Sequence, residues 1–162
     1  MDLIRELEEL ALSTRLKRLH ERLAADVSRI YKECDLDFEA KWFPILELLR
    51  RKQNMSIVEI SQALQLSHPA VVQFADQLIQ KGFITPTSDP HDARRRLLNL
   101  SEAGKSLLQK LAPVLRSIKD ENKKWLQEAD ANLLRILDQL EHGLNTTSMY
   151  NRIRASLNQD NL

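Results

Sequence analysis

Glycine is scarce, with three in 162 residues, where average usage would give about eleven. Glycine supplies positive-φ turns and close backbone approach. A chain this poor in it has few tight turns, so long helices joined by few connections are expected. The three are not grouped, which excludes a glycine-rich phosphate loop. Cysteine is scarcer still. Cys34 stands alone, so no intramolecular disulfide can form, and a lone thiol suits a reducing cytoplasm. Only Lys32 lies near it in sequence to lower its pKa, and Cys34 reads as structural rather than redox-active.

Net charge is also nearly absent. Twenty-four Lys and Arg against 23 Asp and Glu leave a formal +1, which excludes a uniformly basic surface. Nucleic-acid binding would therefore have to come from local placement of charge. No run approaches the ~20 apolar residues of a membrane span. The opening MDLIRELEEL is acidic throughout and has no apolar core of a secretory signal. A cytoplasmic protein of one domain, residues 1–162, is expected.

What is present is helical spacing. Leu3, Leu7 and Leu10, then Leu16, Leu19, Leu23, Val27 and Ile30, step by threes and fours along one helix of about 2–33, with a phase shift near Ser13. A helix of that length, about 40 Å, exceeds what a small core covers, so a partner helix is implied. A second apolar segment around Phe43, Ile45, Leu46, Leu48 and Leu49 has Pro44 in its first turn and ends in Arg50-Arg51-Lys52.

Ser56-Ile57-Val58-Glu59 is a capping-box sequence that opens a short helix to about Leu64. After the turn Gln65-Leu66, Ser67 is a second N-cap, and the next helix runs to about Lys81 before Gly82. Val71, Phe74 or Ala75, and Leu78 share one side of it. His68, Val72, Gln73, Asp76 and Gln77 lie largely on the other. Two short helices with a tight turn form a helix-turn-helix.

Beyond Gly82, Phe83-Ile84-Thr85 and Leu97-Leu98-Asn99-Leu100 read as strands around the turn-rich Ser88-Asp89-Pro90-His91-Asp92, giving a β-hairpin. Ser101 caps a further helix, which Pro113 should kink. Leu133, Leu137, Leu140 and Leu144 follow at coiled-coil-like spacing, and the C-terminal helices are expected over about 105–150.

A helix-turn-helix places its second helix in the major groove. The residues there are Ser67, His68 and Pro69, then Val72 and Gln73. Ser67 and the helix N-terminus suit phosphate. Gln73 could pair with adenine, and His68 could donate to guanine or to phosphate; Val72 or Pro69 could touch a thymine methyl. An arginine at the hairpin tip can enter the minor groove. Asp92 and Arg94, two residues apart, could form a carboxylate–guanidinium pair that presets the insertion, while Arg95 and Arg96 alternate faces. Asp89, His91 and Asp92 are explained as a wing tip, and no metal site is expected there.

The run from Asp89 to Gly104, DPHDARRRLLNLSEAG, resembles the wing signature of the MarR family, a D-x-R followed by an apolar strand and a Thr/Ser-x-x-Gly helix start. Leu64 to Val71 and Leu78 to Ile84 also resemble that family's helix-turn-helix. The resemblance implies a mainly α fold with a small β-hairpin wing, a winged helix-turn-helix over about 40–104 flanked by N- and C-terminal dimerisation helices. It further implies a homodimer on pseudo-palindromic double-stranded DNA, responsive to a small, often aromatic, anionic effector, with Arg94 in the minor groove and Asp92 positioning it. Tyr31, Trp42 and Phe43 are candidates for an effector pocket at the helix junction.

Phe38 to Pro44 is similar to the regulatory half of MarR–acetyltransferase fusions, and the chain stops near where an acetyltransferase domain would begin. The alternative readings are therefore a regulatory module of such a system, or a winged helix that binds protein. No nucleophile–base pair or paired carboxylates stand out, and neither an enzyme nor a cofactor is expected. Two departures from the family weaken phosphate contact: Thr85-Pro86-Thr87 replaces basic residues on the first wing strand, and the recognition helix carries Asp76 with no cation before Lys81.

Overall fold

The computed structural model describes residues 2–89, 96–129 and 132–159. The chain divides into two compact units, residues 1–116 and 117–162. In the first unit come α1 (Leu3–Glu6), α2 (Leu12–Glu33), α3 (Phe43–Arg51), β1 (Met55–Ser56), α4 (Ile57–Leu64), α5 (His68–Gln80), β2 (Ile84–Ser88) and β3 (Arg96–Leu100), then the first half of α6 (Glu102–Glu128). The second unit holds the rest of α6, α7 (Leu133–Thr146) and α8 (Met149–Gln159).

The single helix expected over 2–33 is broken. A 3₁₀ turn at Glu8–Ala11 separates α1 from α2, and Glu8 takes a left-handed φ of 46°. The break lets the chain fold back on itself. Arg18 reaches both carboxylate oxygens of Asp2, at 3.3 and 3.2 Å. In one continuous helix those residues would lie about 24 Å apart along the axis. The Arg18 guanidinium holds the Asp2 carboxyl below its usual range, and Ala11 is buried at the bend.

Helix α3 starts with Pro44 in its first turn, where a missing N–H costs little. Its Ile45, Leu46 and Leu49 are fully buried, as are Ile60 of α4, Val71 and Leu78 of α5, and Ile84 and Leu98 of the sheet. Leu107, Leu108 and Leu111 of α6 complete this core. Pro113 sits inside α6 without ending it.

The sheet has three antiparallel strands in the order β1-β3-β2, one more than the expected hairpin. The extra strand, β1, is two residues long and pairs Met55 with Leu98 and Ser56 with Leu97. Strand β2 is an edge, and its Pro86 faces Leu98, consistent with proline's confinement to positions where no ladder donor is needed. Ser101 joins the sheet to α6. Its hydroxyl donates to the Gly82 carbonyl at 2.6 Å and accepts from the Gly104 amide at 3.0 Å.

In the second unit, Asn132 caps α7 by accepting from the Arg135 amide at 3.1 Å. Helix α8, which begins where the C-terminal helices were expected to end, is capped by Ser148 accepting from the Asn151 amide at 3.3 Å. Arg152 ties α8 back to α7 through the Gly143 carbonyl at 3.1 Å.

Candidate nucleic-acid interface

Helix α4 begins with the full capping box. The Ser56 hydroxyl accepts from the Glu59 amide, and the Glu59 carboxylate takes the Ser56 amide at 2.8 Å. The helix ends at Gln65, whose left-handed conformation (φ 52°, ψ 36°) turns the chain without glycine. Ser61 steadies that turn by donating to the Leu66 carbonyl at 2.6 Å. Ser67 then caps α5 by accepting from the Ala70 amide at 3.4 Å.

Three faces of α5 have different fates. Val71, Ala75 and Leu78 are sealed in the core. Ser67, His68, Pro69 and Gln73 are exposed, and Val72 is half-buried beside them. The third face, Phe74 and Gln77, is half-buried under the segment before α3. Gln77, expected on the outward side, instead accepts a hydrogen bond from Trp42 Nε1 at 2.8 Å.

The wing is the β2–β3 ladder, in register from Ile84↔Leu100 to Ser88↔Arg96. Arg96 is exposed at the far end of that ladder. The expected Asp92, Arg94 and Arg95, and His91 with them, lie outside the described residues. Asn99 of β3 links the turn before β1 to strand β2: its Oδ1 accepts from the Asn54 amide at 2.9 Å, and its Nδ2 donates to Thr87 Oγ1 at 3.1 Å.

Comparison with known proteins bears on this arrangement. A MarR family model matches residues 36–95, which spans α3, the helix-turn-helix and the way into the wing. That part of the chain resembles the MarR family. Over 132 residues it is 26% identical to the HTH-type transcriptional repressor IacR of Pseudomonas putida, covering 81% of this chain and 78% of that protein. A cysteine-to-serine variant of MarR from E. coli, complexed with operator DNA, superposes with a TM-score of 0.65 at 25% identity, over 86% of this chain and 99% of that one. The transcriptional repressor CouR bound to a 23-mer DNA duplex shares the fold, with a TM-score of 0.68 at 24% identity, over 83% and 96% of the two chains. The winged helix-turn-helix architecture of these solved structures is thus shared by this chain, and two of the named proteins are transcriptional repressors.

Two features of the candidate site escape sequence spacing. The aromatic residues picked as pocket candidates are tied into the chain's own packing. Tyr31 and Trp42 are 2% and 3% exposed, and Phe38 bridges them edge-on, with ring centroids 5.1 and 6.0 Å away. Burial pushes the Tyr31 phenol above its usual pKa. Phe43 is half-buried. The basic end of α3 is also less available than its sequence suggests. Glu47 takes Arg50 through two hydrogen bonds of 2.8 Å and Arg51 through one of 2.7 Å. The Arg50 hydrogen bond, joined by that of Arg51, holds the Glu47 carboxyl down at about 2. No cluster of three or more metal-binding side chains occurs among the described residues.

Proposed function

We propose that this chain is a sequence-specific DNA-binding transcription regulator that acts as a homodimer on pseudo-palindromic operators. The observation that carries this reading is the division of α5: its core face is fully buried while Ser67, His68, Pro69 and Gln73 stand exposed beside a wing. A helix anchored in this way can enter a major groove without losing its packing. Ser67 and the α5 amides take phosphate, Gln73 and His68 read base edges, and Val72 or Pro69 meets a thymine methyl. Arg94 enters the minor groove with Asp92 as its partner, and Arg95 or Arg96 takes backbone phosphate.

Homodimerisation is supported by large apolar side chains left in water. On α2, Leu12, Leu16 and Ile30 are 37% exposed or more, and so, on the C-terminal helices, are Leu140, Leu144 and Ile153. A second copy would remove such stripes from water at about 25 cal/mol for each Å² covered. Two-fold symmetry of the dimer then sets two half-sites about one helical turn of DNA apart. Among the described residues no helix is long and apolar enough to cross a membrane, and a DNA partner supports a cytoplasmic location. A small anionic, often aromatic effector acts at the Tyr31–Trp42–Phe43 junction. Because Tyr31 and Trp42 are buried, such a ligand would have to open the cluster to bind, which would couple binding to movement.

In vitro selection from random duplexes tests the reading. The expected product is a pseudo-palindrome bound with a steep salt dependence, and Arg94→Ala weakens its binding. Selection of no duplex at low salt would refute DNA recognition, and an unaltered Arg94→Ala would refute the minor-groove role.

A further inference from the structure

The third face of α5 is held by a segment that the DNA-binding reading does not use. Between the end of α2 and the start of α3, residues 37–42 lie along α5 and grip it at successive turns. Lys41 Nζ stands 5.5 Å from the ring centre of Phe74 and 5.9 Å from that of Trp42, close enough for a cation–π contact with both. Its charge is balanced by Glu39, 2.7 Å away. Trp42 Nε1 donates to Gln77 Oε1 at 2.8 Å. Lys81, just past the helix end, donates to Asp37. Phe74, Gln77 and Lys81 are spaced by three and four residues, so they form one stripe. That stripe lies between the core-facing residues and the exposed ones.

The other end of the segment is fixed to α2. Tyr31, in the last turns of α2, packs edge-on against Phe38, which packs edge-on against Trp42. The Tyr31 carbonyl also accepts from the Leu36 amide at 2.9 Å. An unbroken chain of contacts therefore runs from α2 through Tyr31, Phe38 and Trp42 to Gln77 in the last turn of α5.

We propose that residues 37–42 are a strap that sets the orientation of α5, with Gln77 and Lys81 as positioning residues that act through it and not through DNA. The proposal rests on α5 being the recognition helix. The Trp42–Gln77 hydrogen bond is its centre, because the Trp42 indole is 3% exposed and its N–H spends its one donor on the half-buried Gln77. A shift of α2 is passed to α5 through this bond, so the preference for one DNA sequence depends on a pair that touches no base.

The test is a double-mutant cycle on the full-length protein, using the duplex that the parent selects and a random duplex as probes. Trp42→Phe keeps a ring and removes the donor; Gln77→Met keeps the length and removes the acceptor. Each single variant is expected to lose about tenfold of the parent's preference for the selected duplex. The double variant should lose no more than either single one, and the salt dependence should stay as in the parent, because no phosphate contact has gone. Losses that multiply in the double variant overturn the strap. So does a loss in Gln77→Met with none in Trp42→Phe, which would make Gln77 a direct DNA contact. Unaltered preference in both singles overturns it as well. Should either core variant fail to fold, the exposed Asp37→Asn decides: removing a negative charge should raise DNA affinity, whereas release of Lys81 from the strap lowers the preference for the selected duplex. A parent that selects no duplex removes the recognition-helix reading and the strap together, while a selective parent with an uncoupled cycle removes the strap alone.

Discussion

Gly104 lies so close to Phe83 that a Cβ built on it would stand 2.1 Å from the Phe83 carbonyl oxygen and 2.8 Å from Leu100 Cδ1. The first turn of α6 is pressed onto the strand entry that Ser101 also holds, so backbone meets backbone and neither can yield. Gly104→Ala is expected to destabilise the fold by about 2 kcal/mol or more through overpacking. Gly82 is a useful contrast: its φ is +74° but open space surrounds it, so Gly82→Ala should cost about 1 kcal/mol of backbone strain. Urea unfolding of both variants checks the order. A Gly104→Ala protein as stable as Gly82→Ala would contradict the packing argument.

The α4 cap is the second prediction. Ser56 is 7% exposed, and its hydroxyl and amide both engage Glu59. Ser56→Ala removes the acceptor for an orphan amide and should cost about 1–2 kcal/mol. Because α4 packs on α5, hydrogen exchange should quicken in both helices. Quickening confined to α4 would show that the two open independently.

A third expectation concerns acid. The Glu47 carboxyl sits at about 2 in the folded chain against an ordinary 4.5. A depressed acid contributes its stability above the unfolded value and loses it as pH falls through the folded one. The contribution of Glu47 is therefore complete above about pH 4.5 and fades toward about pH 2. Its arginine partners are 55% and 68% exposed, so solvent screening limits the effect to the order of 1 kcal/mol. Parent and Glu47→Gln should differ at pH 6 and converge as the pH approaches 2. Parallel stability curves through that range would mean that the pair contributes nothing.

Asn99 gives a fourth. One amide spans the turn before β1, strand β3 and the edge strand β2. Asn99→Ala should cost about 1 kcal/mol, with the loss concentrated in β2, the edge strand of the wing. Hydrogen exchange by residue would show it. Uniform slowing or quickening across the sheet would exclude a clamp.

The helix-turn-helix was legible because its signals are local. Ser56 with Glu59, Ser67 with Pro69, and Gly82 each declare an end within four residues, and the structure places α4 and α5 within a residue or two of those signals. What escaped depends on distant partners. The break after α1 is stabilised by Arg18 meeting Asp2, sixteen positions away, and the apolar spacing showed only a phase shift near Ser13, short of a break. Strand β1 is two residues long, too short for any alternation to register. Gln77 looks like an outward polar residue until the Trp42 indole is found over it. Helix α8 did leave a signal, Ser148 followed by Tyr150, Ile153 and Leu157 at helical spacing, which the expected boundary near 150 cut short.

Both margins of the small sheet are closed to newcomers. On one side β2 carries Pro86 in its middle, which has no amide to offer a docking strand; on the other, β1 is only two residues long. An added chain could not extend this ladder into a ribbon. Among the described residues, this sheet therefore gives a second copy no long ladder edge on which to build, and association by strand addition is disfavoured.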